Sequence, residues 1–150
     1  MRAKFQNNLK RLFMLCIMII AIPSLLFAET VGIFSDNSIP QIKFAANDVK
    51  TALESKGFKV EMNDLSKLKS GYSNKKVVIA LESDKKIMKL FTEVGGKVPN
   101  GLGEQEYTLQ TTTQKQSSYW VFGGDVNGAM YGGLQLAENI TFDGLSGNYN

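Results

Sequence analysis

Histidine is missing from this 150-residue chain, cysteine occurs once, at Cys16, and arginine occurs only as Arg2 and Arg11. Each shortage closes a chemical route. Without histidine there is no Ser-His-Asp triad, no imidazole metal ligand and no histidine general base. A single cysteine cannot form an intrachain disulfide or a zinc–thiolate cluster. With arginine confined to the first eleven residues, the remainder has no guanidinium to clamp a phosphate or carboxylate through two parallel hydrogen bonds. The hydrophobic fraction of 43% and charged fraction of 21% are those of a globular protein. The length suits one ordinary domain.

The formal charge of +3 is a local excess. Arg2, Lys4, Lys10 and Arg11 precede an apolar run at 12–22, followed by Pro23-Ser24 and Leu25-Leu26-Phe27-Ala28. A basic start, an apolar centre and a small residue before the polar Glu29 read as a secretory signal peptide cut after Ala28. Eleven apolar residues fall well short of the roughly 20 that span a bilayer. Leu15 before Cys16 is too large for a lipoprotein site, and no polar face supports a buried first helix. The expected product is secreted or periplasmic and free of the membrane. It keeps 122 residues, with 13 lysines and 14 acidic groups, for a net charge of −1. Such a chain is a poor nucleic-acid partner, and Cys16 departs with the leader.

Residues 30–34 form a short β-like run ended by Ser35, Asp36, Asn37 and Ser38. A helix follows, with Ser38 and Gln41 at capping-box spacing and Pro40 in the first turn. Ile42, Ala46, Val49 and Leu53 make its buried face. Gly57 supplies a left-handed end, on which Phe58 folds back toward Leu53. Phe58, Val60 and Met62 alternate as a half-buried strand, and 63–75 is a loop with one helical turn. Residues 77–81 are continuously apolar, as in a strand covered on both faces. Ile87, Leu90, Phe91 and Val94 mark a second helix, stopped by Gly95-Gly96, and 97–105 is a loop. Tyr107 and Leu109 begin a strand that returns at 119–122 as an antiparallel hairpin. Asp125 is placed to cap a third helix, along which Ala129, Met130, Gly133, Leu134, Ala137 and Ile140 keep the period. Residues 141–150 lose it and read as a linker or frayed tail, so the domain is expected over 29–142 and the flexible tail over 143–150. The order β-α-β-β-α-β-β-α implies an α/β fold, a single mixed sheet of about five strands with three helices packed on it.

The remaining chemistry belongs to carboxylates, lysines, tyrosines and hydroxyls. Glycoside hydrolysis needs two flanking carboxyl groups, and Glu104, Glu106 or Asp125 are candidates, although scattered surface carboxylates occur in any soluble protein. The glycine-rich turn 123–128 sits where a phosphate cradle would, yet its spacing is wrong for the dinucleotide fingerprint. Asp125 also puts negative charge at the helix N-terminus, so a tight turn plus a cap is the favoured reading. Gly128, Gly132 and Gly133 inside one helix cost roughly 1 kcal/mol each relative to alanine. Close approach must compensate, either to the domain's own sheet or across a docking face that includes Tyr131. Tyr107, Tyr119 and Trp120, with Phe122, could stack on sugar rings, but strand alternation sends Trp120 to the face opposite Tyr119, so some must be core. Asn139-Ile140-Thr141 matches the glycosylation sequon. No cofactor and no metal site is expected.

The segment 120–138, Trp-Val-Phe-Gly-Gly-Asp-Val-Asn-Gly-Ala-Met-Tyr-Gly-Gly-Leu-Gln-Leu-Ala-Glu, resembles the end of the small N-terminal α/β domain that precedes the catalytic barrel in α-glucuronidases and β-hexosaminidases (glycoside-hydrolase families 67 and 20). Gly103-Glu104-Gln105-Glu106-Tyr107-Thr108-Leu109 is similar to the segment where that domain enters its hairpin. The resemblance implies a mixed sheet carrying helices, in a secreted carbohydrate-degrading system, acting as a non-catalytic accessory module. The family's catalytic carboxylates lie in the barrel, so none carries over to a residue here. The chain stops at Asn150, where the barrel would begin, which leaves a free-standing accessory domain or a fragment of a longer enzyme. The expected partner is a glycoside-hydrolase catalytic domain or another secreted protein, docked on the helix bearing Gly128, Tyr131, Gly132 and Gly133. A free-standing carbohydrate-binding module and a small carboxylate glycosidase are the alternatives.

Overall fold

The computed structural model describes residues 28–69, 72–114, 116–145 and 147. The signal-peptide reading, apart from its final Ala28, lies outside the described residues. Five strands, β1 (Thr30–Ser35), β2 (Lys59–Asp64), β3 (Lys75–Leu81), β4 (Tyr107–Thr112) and β5 (Ser118–Gly123), alternate with three helices. These are α1 (Pro40–Ser55), α2 (Lys85–Glu93) and α3 (Val126–Asp143), with a single 3₁₀ turn at Leu65–Lys67. The strands form one sheet in the order β2-β1-β3-β5-β4. All neighbours run parallel except the β4/β5 hairpin. The architecture is the α/β mixed sheet that the element order implies.

Register turns sequence alternation into two cores. Ile33, Val77 and Tyr119 are cross-strand neighbours, and so, one residue on, are Phe34, Val78 and Trp120. Successive strand residues point to opposite faces. The first row therefore joins Ile42, Ala46, Val49 and Leu53 of α1 and Leu136 and Ile140 of α3. The second row joins Ile87, Met88 and Phe91 of α2. Sheet residues of β3 are covered on both sides, with Val77, Val78 and Ile79 fully buried. Trp120 and Phe122 stack with ring centroids 5.9 Å apart, and Phe91 closes on each at 4.9 Å. Aromatic pairs of this kind add about 0.5–1.5 kcal/mol beyond their burial.

Helix ends follow local chemistry with one correction. Gly57 has φ +83°, and the Phe58 amide donates to the Leu53 carbonyl at 3.2 Å, closing α1 as its glycine requires. The capping box at Ser38 and Gln41 does not form. Ser38 instead donates both its amide (2.9 Å) and its hydroxyl (2.6 Å) to the Asp36 carboxylate. A charged acceptor two residues upstream outcompetes the cap, and α1 starts from Ile39, with Pro40 in its first turn. The third helix also runs past the last periodic residue, to Asp143, and Gly144 (φ +74°) ends it. Leu145 then folds back into the core, its carbonyl accepting from the Tyr119 hydroxyl at 2.7 Å. The stretch read as a frayed tail thus begins as packed structure. No helix among the described residues is long and apolar enough to cross a membrane.

Candidate functional site

The three helical glycines of α3 face inward. A Cβ on Gly133 would lie 2.7 Å from the Ala45 Cβ of α1, and one on Gly132 would lie 2.6 Å from Val121 and 3.0 Å from the Tyr107 ring. At Gly128 it would meet the Glu106 carbonyl oxygen at 2.2 Å. Their missing side chains let α3 settle at once against α1, the β4/β5 hairpin and the loop before β4. The close approach that must offset their poor helix propensity is thus inside the domain. Of the residues grouped as a docking helix, Tyr131 alone is turned outward, with 43% of its surface exposed.

The aromatic trio separates as alternation requires. Trp120 is 1% exposed and Tyr119 4%, so neither ring has a face free for a sugar, which corrects the stacking expectation for both. Their rings are consumed by the two cores, and the Trp120 indole N–H donates to Thr112 Oγ1 at 3.1 Å. Tyr107, on the outer strand β4, keeps 37% of its surface in solvent.

The carboxylates raised as a hydrolytic pair hold backbone in place. Asp125 Oδ1 accepts from the Gly128 amide at 2.7 Å, capping α3, and from the Gln105 amide at 3.1 Å. Glu106 accepts from the Gly103 amide at 2.7 Å. Glu82, which the sequence did not single out, takes the Gly101 and Leu102 amides on its two oxygens, each at 2.8 Å. Together they fasten the loop 97–106, whose Gln105 sits at φ +61°. Glu104 is exposed beside them. The turn at Gly123 and Gly124 is crowded by backbone, with the Gly103 carbonyl oxygen 2.2 Å from where a Gly124 Cβ would stand. This is the tight turn with a cap, without room for a phosphate.

A crevice opens at the carboxyl ends of β1, β2 and β3, where the chain's crossovers diverge on the two sides of β1. Parallel sheets place ligand sites at such switch points. Asp36, Asp64 and Asp84 line it with Ser66 and Lys86 around about 250 Å3. Each aspartate serves its own chain. Asp84 caps α2 through the Lys86 and Ile87 amides at 3.0 and 3.1 Å. Asp64 accepts from the hydroxyl and amide of Ser66, which holds its carboxyl below the usual range. No group of acidic side chains among the described residues is arranged to hold a metal. Asp-X-Ser after both of the first two strands, at 36–38 and 64–66, was the readable signal for this rim.

Where α1 and α3 pack together they leave a groove of about 450 Å3 between them. Ala52, Leu134 and Ala137 form its apolar part, and Asp48 from α1 and Glu138 from α3 stand in its walls. In the sequence Asp48 falls outside the apolar face of its helix while Leu134 and Ala137 belong to the apolar period of another, and only the adjacency of the two helices makes a site.

No protein-family model and no curated protein matches the chain. Solved structures do. The fold is similar to part of a GH138 enzyme targeting pectin rhamnogalacturonan II, with a TM-score of 0.51 and 20% identity over 77% of this chain. It is also similar to part of CpGH84D, with a TM-score of 0.55 and 17% identity over 81% of this chain. The match takes up 14% of the first enzyme's chain and 19% of the second's. The two carry family numbers 138 and 84, where the sequence resemblance implied 67 and 20; the level common to both is the fold of one domain-sized portion of a glycoside hydrolase.

Proposed function

We propose that this chain is an exported, non-catalytic accessory domain of the glycoside-hydrolase type, which docks to a catalytic domain or another protein partner engaged in carbohydrate degradation. One observation carries the reading: a fold covering 77–81% of this chain corresponds to only 14–19% of two much larger hydrolases. Local chemistry supports it. Asp125 Oδ1, Glu106 Oε2 and both oxygens of Glu82 accept from backbone amides, so these carboxyl groups have a structural role in holding the loop 97–106 and the start of α3. Docking is assigned to the outward side of α3, the side that bears Tyr131.

Two measurements test this. The purified protein, assayed against aryl-glycosides and polysaccharides, is expected to turn none of them over. Activity that co-elutes with it and disappears in the Asp125→Asn or Glu106→Gln variant would overturn the non-catalytic reading. Co-purification from the host's exported fraction is expected to return a chain with a glycoside-hydrolase catalytic domain, identified by mass spectrometry. A strictly solitary monomer would count against docking.

A further inference from the structure

We propose that the groove between α1 and α3 receives a cationic amphipathic helix of a protein partner, with a lysine or arginine set between Asp48 and Glu138. The inference rests on the docking reading above and names the chemistry of what docks. Its first support is exposed aromatic surface. Phe44, Tyr131 and Phe142 keep 54%, 43% and 76% of their surfaces in solvent, three of the five large exposed hydrophobic residues among the described ones. At 100° per residue, Tyr131, Leu134, Glu138 and Phe142 share one outward sector of α3, and Phe44 lies one turn before Asp48 on α1. None of Phe44, Tyr131 and Phe142 lines the groove itself; they stand on the outward sides of the two helices that border it, adding exposed apolar surface to the apolar part of the groove.

Charge then selects the occupant. Asp48 makes no hydrogen bond or ion pair with any described residue, and Glu138 accepts only the Gln135 amide, at 3.2 Å. Lys50, two residues on and about 200° around the helix from Asp48, faces away from it and pairs with Glu54 at 3.7 Å. A second copy docked two-fold through the same face would bring these carboxylates against their own kind. A neutral sugar would donate hydroxyls to them but leave their charge unneutralised, and an acidic segment would be repelled. A lysine or arginine meets both and lays its methylene stem along the apolar part of the groove. The dimensions fit a helix. The groove is lined from Asp48 to Ser55 on α1 and from Leu134 to Thr141 on α3, about 11 Å along each at 1.5 Å per residue, so it seats about two turns of a partner helix.

The test is a titration of the isotopically labelled protein with two synthetic 18-residue amphipathic peptides at low ionic strength. Both present the same leucine face, one flanked by lysines and the other by glutamates. The lysine peptide is expected to shift the amide signals of Asp48, Thr51, Leu134 and Glu138, and to weaken as salt is added. The variant carrying Asp48→Asn and Glu138→Gln is expected to bind it about tenfold more weakly, with Trp120 fluorescence confirming an unchanged core. Phe44→Ala, which leaves the charges alone, is also expected to weaken it. Equal binding of the glutamate peptide, shifts elsewhere on the surface, or no binding of either peptide would overturn the proposal. Co-purification of a hydrolase that survives the double neutralisation would sink this inference while leaving the accessory reading intact.

Discussion

Gly133 offers the sharpest check on the packing of α3. Alanine there would gain about 1 kcal/mol of helix propensity if the site were open. It is not open, because the new methyl would stand 2.7 Å from the Ala45 Cβ, where carbon atoms ordinarily rest about 3.5–4.0 Å apart. Neither group can rotate away, since a Cβ moves only with its backbone, so α1 and α3 must separate by most of an ångström. Overpacking of this kind costs about 1–3 kcal/mol, and the net effect of Gly133→Ala is expected to be a loss of about 1 kcal/mol. That lowers the melting temperature by about 3–5 °C for a domain of this size. Ala45→Gly alone loses about 1 kcal/mol of propensity on α1. The double variant puts the methyl on the other helix, relieves the overlap and is expected to return close to the starting stability. Ile79 Cδ1, at 3.4 Å from the new Cβ, needs only a small adjustment. Chemical denaturation of the four proteins then gives a coupling of about 2 kcal/mol, well above the few tenths that independent sites show. Additive losses, or a Gly133→Ala protein more stable than its parent, would refute the account of why glycine is there.

Three further outcomes follow from the same contacts. Asp125→Ala removes both the cap of α3 and the anchor of Gln105, and is expected to cost about 1–2 kcal/mol in denaturant melts, with hydrogen exchange rising across the loop 97–106; unchanged exchange in that loop would contradict the anchoring role. Trp120, the single tryptophan and 1% exposed, is expected to emit at short wavelength, to resist acrylamide quenching and to ignore glycans until the fold is lost; a glycan-dependent change in the native protein would mean that its ring is reachable after all. The Ser66 bonds hold the Asp64 carboxyl below its ordinary value, so the stabilisation they provide is present above the unfolded pKa of about 3.9 and fades as pH falls through the lower folded value. In an NMR pH titration, Ser66→Ala is expected to raise the Asp64 midpoint toward that ordinary value, and an unmoved midpoint would refute the cause.

Where the sequence was legible, one local rule acted alone. Gly57 and Gly95 closed their helices because φ values of +83° and +82° suit glycine. Asp125 capped α3 because it stands just before the helical period, and the apolar run 77–81 had to be a central strand because no polar face was available to it. Where two groups competed, local pattern was not enough: the Asp36 carboxylate took the Ser38 hydroxyl from the expected cap. The fate of Leu145 lay beyond any period, since a residue after a helix is buried only if a distant strand offers it a partner, here the Tyr119 hydroxyl.

The candidate site divides along the same line. Sequence by itself determined the alternation of strands and helices, the lack of imidazole and of any guanidinium or thiol beyond residue 16, and the presence of three glycines whose cost required a close neighbour. It could not say which neighbour, because a helical period of 3.6 identifies a face but not what lies opposite. Tertiary structure decided that the glycines meet Ala45, Val121 and the Glu106 carbonyl, that Trp120 and Tyr119 belong to two cores, and that Asp48 and Glu138, 90 residues apart, share one groove. The physical reason is that α1 and α3 bury their apolar faces in one core, on the Ile33, Val77 and Tyr119 side of the sheet, while α2 covers the other side, a juxtaposition made by packing across the sheet rather than by either helix's own period.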